Sequence, residues 1–119
     1  MTRLSLILVL VAAFNSCLGN LSLKYSRMIA KPDGTLLDML FAPFFILGLV
    51  FYGINVVLFA VALEKAPVSV AYPILAGTGF ALLVIMSAIL LGERIGFVQL
   101  AGVAVITLGI ALIAWPNEA

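Results

Sequence analysis

The sequence predicts an all-α membrane protein, a bundle of four transmembrane helices. Three observations carry this. Of 119 residues, 66% are hydrophobic and 9% charged. A soluble domain has about a quarter of its residues charged, and a chain this short cannot hide so much apolar surface in one core. The apolar residues also fall into four runs, each near the roughly 20 residues that cross a bilayer as a helix. Finally, the runs are about twice the length of a barrel strand and lack its alternation. Helices are then the spanning form that satisfies every backbone polar group.

The first run covers about residues 4–23, with the helix reaching toward Met28; the others cover about 39–63, 68–91 and 97–115. Arg3 followed by Leu4 to Ala13 has the outline of a secretory signal. Phe14 and Asn15, however, stand before Cys17 where cleavage wants small residues, so the segment is expected to remain as the first span. Pro32, Asp33 and Gly34 make a turn between the first two spans. Pro67 marks the start of the third span, where its missing N–H costs nothing. Gly92 to Gly96 joins the third to the fourth. No connection is long enough to separate domains, so residues 1–119 read as one bundle. Lys24, Arg27, Lys31 and Arg94 fall on one side and Arg3 and Lys65 on the other. This weak bias favours termini outside the cytoplasm and is compatible with insertion in both orientations.

The composition also excludes functions. There is no histidine and a single cysteine, Cys17, which cannot form an intrachain disulfide. The net charge of +1 comes without a basic run, so nucleic acid is not an expected partner. No metal-ligand cluster and no acid pair is present, so no enzyme activity, metal or cofactor is expected. Every acid lies at the edge of a span: Asp33, Asp38, Glu64, Glu93 and Glu118. A proton-for-cation exchanger needs an acid within the membrane, and these spans have none.

The first helix carries the candidate binding site. At 100° per residue, Ser16, Asn20 and Lys24 form one stripe, and Asn15, Gly19 and Ser22 a second beside it. Ala12 and Ala13 keep the face slim above them. Such a face is either helix–helix glue or the wall of a hydrated cavity; two asparagines and a lysine on one helix favour the cavity. Lys24 either snorkels to the interface or faces an anion such as a phosphate. Tyr52 and Asn55 in the second span complete the cavity or pair with the first helix.

In the third span, Pro73 removes the helical bond to the Ser69 carbonyl, and Gly77 and Gly79 flank Thr78 one turn on. These three residues are either close-packing positions or a hinge, with Tyr72 beside Pro73 then a cavity or gate residue. The fourth span is almost wholly apolar. Gly102 and Gly109, seven apart, present a small-residue face that suits a dimer contact, and Trp115 suits an interface anchor.

With these residues in hand, the chain resembles the small multidrug resistance family of the drug/metabolite transporter superfamily. "LSLKYS" is similar to the family's end of helix one, with Lys24 at its lysine. "VSVAYPILAGTG" resembles its helix-three signature, with Tyr72 at the substrate-site tyrosine and Gly77 and Gly79 at the hinge glycines. "GVAVITLG" resembles the helix-four dimer motif, and "LLGERI" is typical of the superfamily. The family's essential membrane glutamate falls at Ser16, and the tryptophan expected in helix three is Leu75. Cation/proton chemistry therefore does not carry over. What remains resembles the lipid-type branch, the paired subunits that flip undecaprenyl phosphate–aminoarabinose. The resemblance implies an antiparallel dimer in a bacterial inner membrane, a homodimer or a heterodimer with a paralogue, with the polar site between protomers.

Three functions follow as expectations. The first is a flippase for a lipid-linked headgroup, in which Lys24 meets a phosphate and Asn15, Ser16 and Asn20 meet sugar hydroxyls. The second is an exporter of a small polar or cationic metabolite, and the third a non-transporting partner subunit. A flippase predicts a lateral opening, an exporter a closed pocket, and a partner subunit polar groups paired among themselves.

Overall fold

Thr2 starts the first helix. Its hydroxyl accepts the N–H of Ser5 at 3.1 Å, satisfying one of the donors a helix start leaves free. A computed structural model of the protein describes residues 2–115; Glu118 lies outside them. Helix α1 runs Arg3–Met28, about 39 Å at 1.5 Å per residue. The hydrocarbon core is about 30 Å thick, so the end of α1 that carries Lys24 to Met28 reaches its boundary. The Pro32–Gly34 turn closes with Gly34 N–H donating to Lys31 O at 3.0 Å.

A short helix α2 (Leu36–Leu40) follows, started by a reciprocal cap between Thr35 and Asp38. The next helix, α3, is Pro43–Ala62, beginning four residues later than the apolar run suggests. The cause is local: Pro43 holds Ala42 in extended backbone (φ −65°, ψ 135°), which ends α2 and restarts the chain with proline at the first helical position. Pro67 caps α4 (Val68–Leu90), which continues unbroken through Pro73. The last helix, α5, is Phe97–Ile113, followed by an exposed Trp115. Three helices, α1, α3 and α4, are long and apolar enough to cross a membrane; α5, with 17 residues, is shorter. Together they make a four-helix membrane bundle, with α2 lying outside the spans.

α1 is the centre. It packs against α3 on one side and α4 on the other, while α5 packs against α4. The approach of α1 to α3 depends on glycines. A side chain at Gly48 would meet Leu23 Cδ2 at 2.8 Å and the Gly19 carbonyl at 3.1 Å. Gly77 is likewise filled by Ile110, which ties α5 to α4. Gly79 faces the Ala13 carbonyl at 3.5 Å.

The bundle differs at its two ends. Where α1 begins, α3 ends and α4 begins, Val9, Ala12, Ala13, Ala62, Ala71 and Leu75 form a continuous buried core. Small side chains let these helices touch closely. At the other end α1 and α4 diverge. The protein's smallest extent is 19 Å, roughly two helices thick at 8–10 Å between axes. Large apolar faces therefore stay uncovered, and α5 has no buried residue. Lipid suits such faces where water does not.

Candidate functional site

The divergence of α1 and α4 leaves a cleft of about 340 Å³. Asn20, Leu21 and Lys24 of α1 form one wall. Phe80, Leu83, Val84 and Ser87 of α4 form the other, and Glu93 and Gln99 stand at the mouth. Its volume is within the range of small-molecule sites, and like them it is apolar with a few convergent polar groups.

The decisive geometry at the mouth is set by one glycine. Gly92 has φ +69°, the only positive φ among the described residues, a conformation that L side chains rarely adopt. It turns the chain off the end of α4 so that Glu93 N–H donates back to Ser87 O at 3.2 Å. The Glu93 carboxylate then lies 4.0 Å from the Lys24 ammonium. This is the single ion pair among the described residues, and both side chains are about half exposed (56% and 46%). An exposed pair at this distance is weak, under about 1 kcal/mol. It holds Lys24 in place without tying it up.

The sequence-predicted residues separate into groups. Asn20 and Lys24 line the cleft. The Asn20 amide donates to Ser16 O at 3.1 Å and accepts from the Tyr52 hydroxyl, so Tyr52 anchors the cleft wall to α3. Ser16 is half-buried beside them. Asn15 does not line the cleft: it is buried and donates to the Phe51 carbonyl across the α1–α3 seam. Ser22 turns back onto Leu18 O at 2.9 Å. Asn15 is therefore the interhelical glue that the sequence leaves as its alternative, Ser22 bonds within its own helix, Lys24 is cleft wall, and Asn20 is both wall and glue. Asn55 Oδ1 is buried without a partner among the described residues. Tyr72 is exposed on α4 toward the packed end, its ring edge-on to Phe59; it is not part of the cleft. Gly102 and Gly109 have nothing within 4 Å of where a side chain would begin.

Glu93, Ser87 and Gln99 are the site residues that sequence reasoning missed. The signal for Glu93 was present. In an up–down bundle the end of the first span and the end of the third lie on the same side, which brings "LGER" to the level of Lys24.

The model of the Small Multidrug Resistance protein family matches residues 4–106. The chain belongs to this family. It is a membrane transporter of the small multidrug resistance type, with several membrane-crossing helices. It is 48% identical over 114 residues to uncharacterized protein y4nH of Sinorhizobium fredii, covering 96% of this chain and 97% of that one. It is 29% identical over 112 residues to a protein of Yersinia pestis, covering 93% and 96%. That protein is named as a probable 4-amino-4-deoxy-L-arabinose-phosphoundecaprenol flippase subunit, ArnE. A protein of the same name in Yersinia pseudotuberculosis matches equally. No solved structure matches the chain.

Against the family pattern described above, the structure adds two placements. Ser16, at the family's glutamate position, adjoins Asn20 rather than a charge. Leu75, at its tryptophan position, is buried in the packed end and does not reach the cleft.

Proposed function

We propose that the protein flips a lipid-linked, phosphate-bearing headgroup across a bacterial inner membrane, working as a dimer through α5. The observation that carries this is Lys24 at a lateral cleft between α1 and α4, with the only nearby carboxylate held weakly and no acid within a span. An anionic headgroup entering between the helices displaces Glu93 and takes the Lys24 ammonium in a charge-assisted hydrogen bond. Gln99 is placed to meet hydroxyls, Ser87 being buried with its own hydroxyl donating to Val84 O at 3.0 Å, and the apolar wall of Phe80 and Leu83 accompanies the lipid stem. One end packed and the other parted is the form expected of a carrier that opens to alternate sides. Pro73, Gly77 and Gly79 then act as the hinge of α4, and Gly102 and Gly109 as the partner-facing surface of α5. The relationship to a protein named as a flippase subunit supports the same reading. No chemical step is involved, only movement.

Purified protein in liposomes with a polyprenyl-phosphate aminosugar tests this. The amine's exposure to an impermeant reagent is followed. Protein-dependent exposure that is lost in Lys24→Ala supports the reading; full exposure in that variant sinks it. Glu93 also favours a second reading, an exporter of a small cationic metabolite held by its carboxylate. Under that reading Glu93→Gln abolishes transport, whereas a lipid flippase keeps it.

A further inference from the structure

A larger cavity, of about 440 Å³, lies at the same end of the bundle but shares no residue with the Lys24 cleft. It sits between the end of α1, the Pro32–Gly34 turn and α2. Its wall carries two cations, Arg27 and Lys31. Neither has an ion-pair partner among the described residues. Ser26 also lines it; that residue is 2% exposed, and its hydroxyl has no hydrogen-bond partner among the described residues. That oxygen has almost no accessible surface, so it lies behind the wall and is not offered to a ligand. The one carboxylate on the wall, Asp38, is committed to the α2 cap, accepting Thr35 N–H at 3.0 Å.

The surroundings indicate what kind of ligand. None of α2 is buried: Leu36 and Leu37 are 68% and 64% exposed, and Phe41, which follows it, is 75% exposed. Apolar side chains this bare belong in lipid, which puts α2 in the membrane interface with the cavity at headgroup depth. Phe41 and Ile29, both exposed and apolar, form part of its lining. The cavity thus offers two cations beside an apolar edge. We propose that it binds the phosphate of an anionic membrane lipid, with Arg27 and Lys31 on the phosphate and the acyl chains along Phe41 and Ile29. Basic pockets beside membrane helices recognise anionic headgroups by this chemistry. The site is separate from the transport cleft and does not depend on the transported substrate.

The test uses the full-length protein in mixed micelles containing equal phosphatidylglycerol and phosphatidylcholine, with retained lipid counted by native mass spectrometry. Phosphatidylglycerol is retained preferentially. Arg27→Gln lowers its retention about fivefold, and with Lys31→Gln about 25-fold. Arg94→Gln, a charge lost on the same side but outside the cavity, leaves it unchanged. The exchange of Arg27→Lys with Lys31→Arg keeps binding and shows that the site survives substitution. Equal retention of the two lipids, or an equal loss in Arg94→Gln and Arg27→Gln, overturns the site. If millimolar inorganic phosphate displaces phosphatidylglycerol, the cavity takes free phosphate and the lipid assignment fails.

Discussion

The two ends of the bundle are built from the same three helices and do opposite things. At one end Ala12, Ala13, Ala62 and Ala71 are fully buried and the helices touch through small side chains. At the other, Asn20, Lys24 and Ser87 face a gap that the Glu93 carboxylate reaches across. The difference shows how a membrane bundle without a hydrophobic driving force between its helices is held. Close contact of small residues supplies dispersion, and polar groups either pair across the seam or line a cleft. Position around the helix as well as along it, not residue type, decides which.

The largest effect is expected where packing is tightest. Ala12→Leu adds a side chain to a site with no exposed surface and destabilises by about 3 kcal/mol, the upper end for overpacking. Unfolding of detergent-solubilised protein by titrated SDS measures it. If the variant is as stable as wild type, the packed end is looser than described.

Gly92→Ala comes next. Forcing a left-handed conformation on a side chain costs about 1–2 kcal/mol, and it moves Glu93 away from Lys24. The same titration gives the stability loss, while headgroup flipping by the protein that remains folded is kept. Unchanged stability would mean that the turn off α4 tolerates another path.

Asn15→Leu removes the bond to the Phe51 carbonyl and should cost about 1 kcal/mol of stability, without altering substrate preference. A changed preference would put Asn15 in the cleft after all.

The smallest effect is the Lys24–Glu93 coupling. A double-mutant cycle of Lys24→Gln and Glu93→Gln should give under about 1 kcal/mol in stability, but opposite signs in headgroup affinity. A coupling of several kcal/mol would mark the pair as a structural clamp.

Most of the fold was legible because a helix in lipid is a local object. About 20 apolar residues satisfy their own backbone, whatever surrounds them. The exception is instructive. The apolar run from Met39 hides Pro43, and proline chemistry rather than hydropathy sets where α3 begins. Of the site, Asn20 and Lys24 were readable from helical spacing. Asn15 looked equivalent to Asn20 but lies one stripe over, where α3 covers it. Tyr72 reads as a site residue beside Pro73, yet it sits on the outer surface near the packed end.

The sequence by itself determined that the chain is helical and built of four apolar runs, and that none of these runs contains an acid within it. These follow from composition and from the length of the runs. The tertiary structure decided which polar groups are glue and which face the cleft. Asn15 and Asn20 stand about 140° apart around α1 at 100° per residue, and the approach of α3 at Gly19 and Gly48 selects between them. It also decided that the nearest anion to Lys24 is Glu93. That contact joins residues 69 apart in the chain, and the packing of α1 beside α4 together with the turn at Gly92 brings them to 4.0 Å.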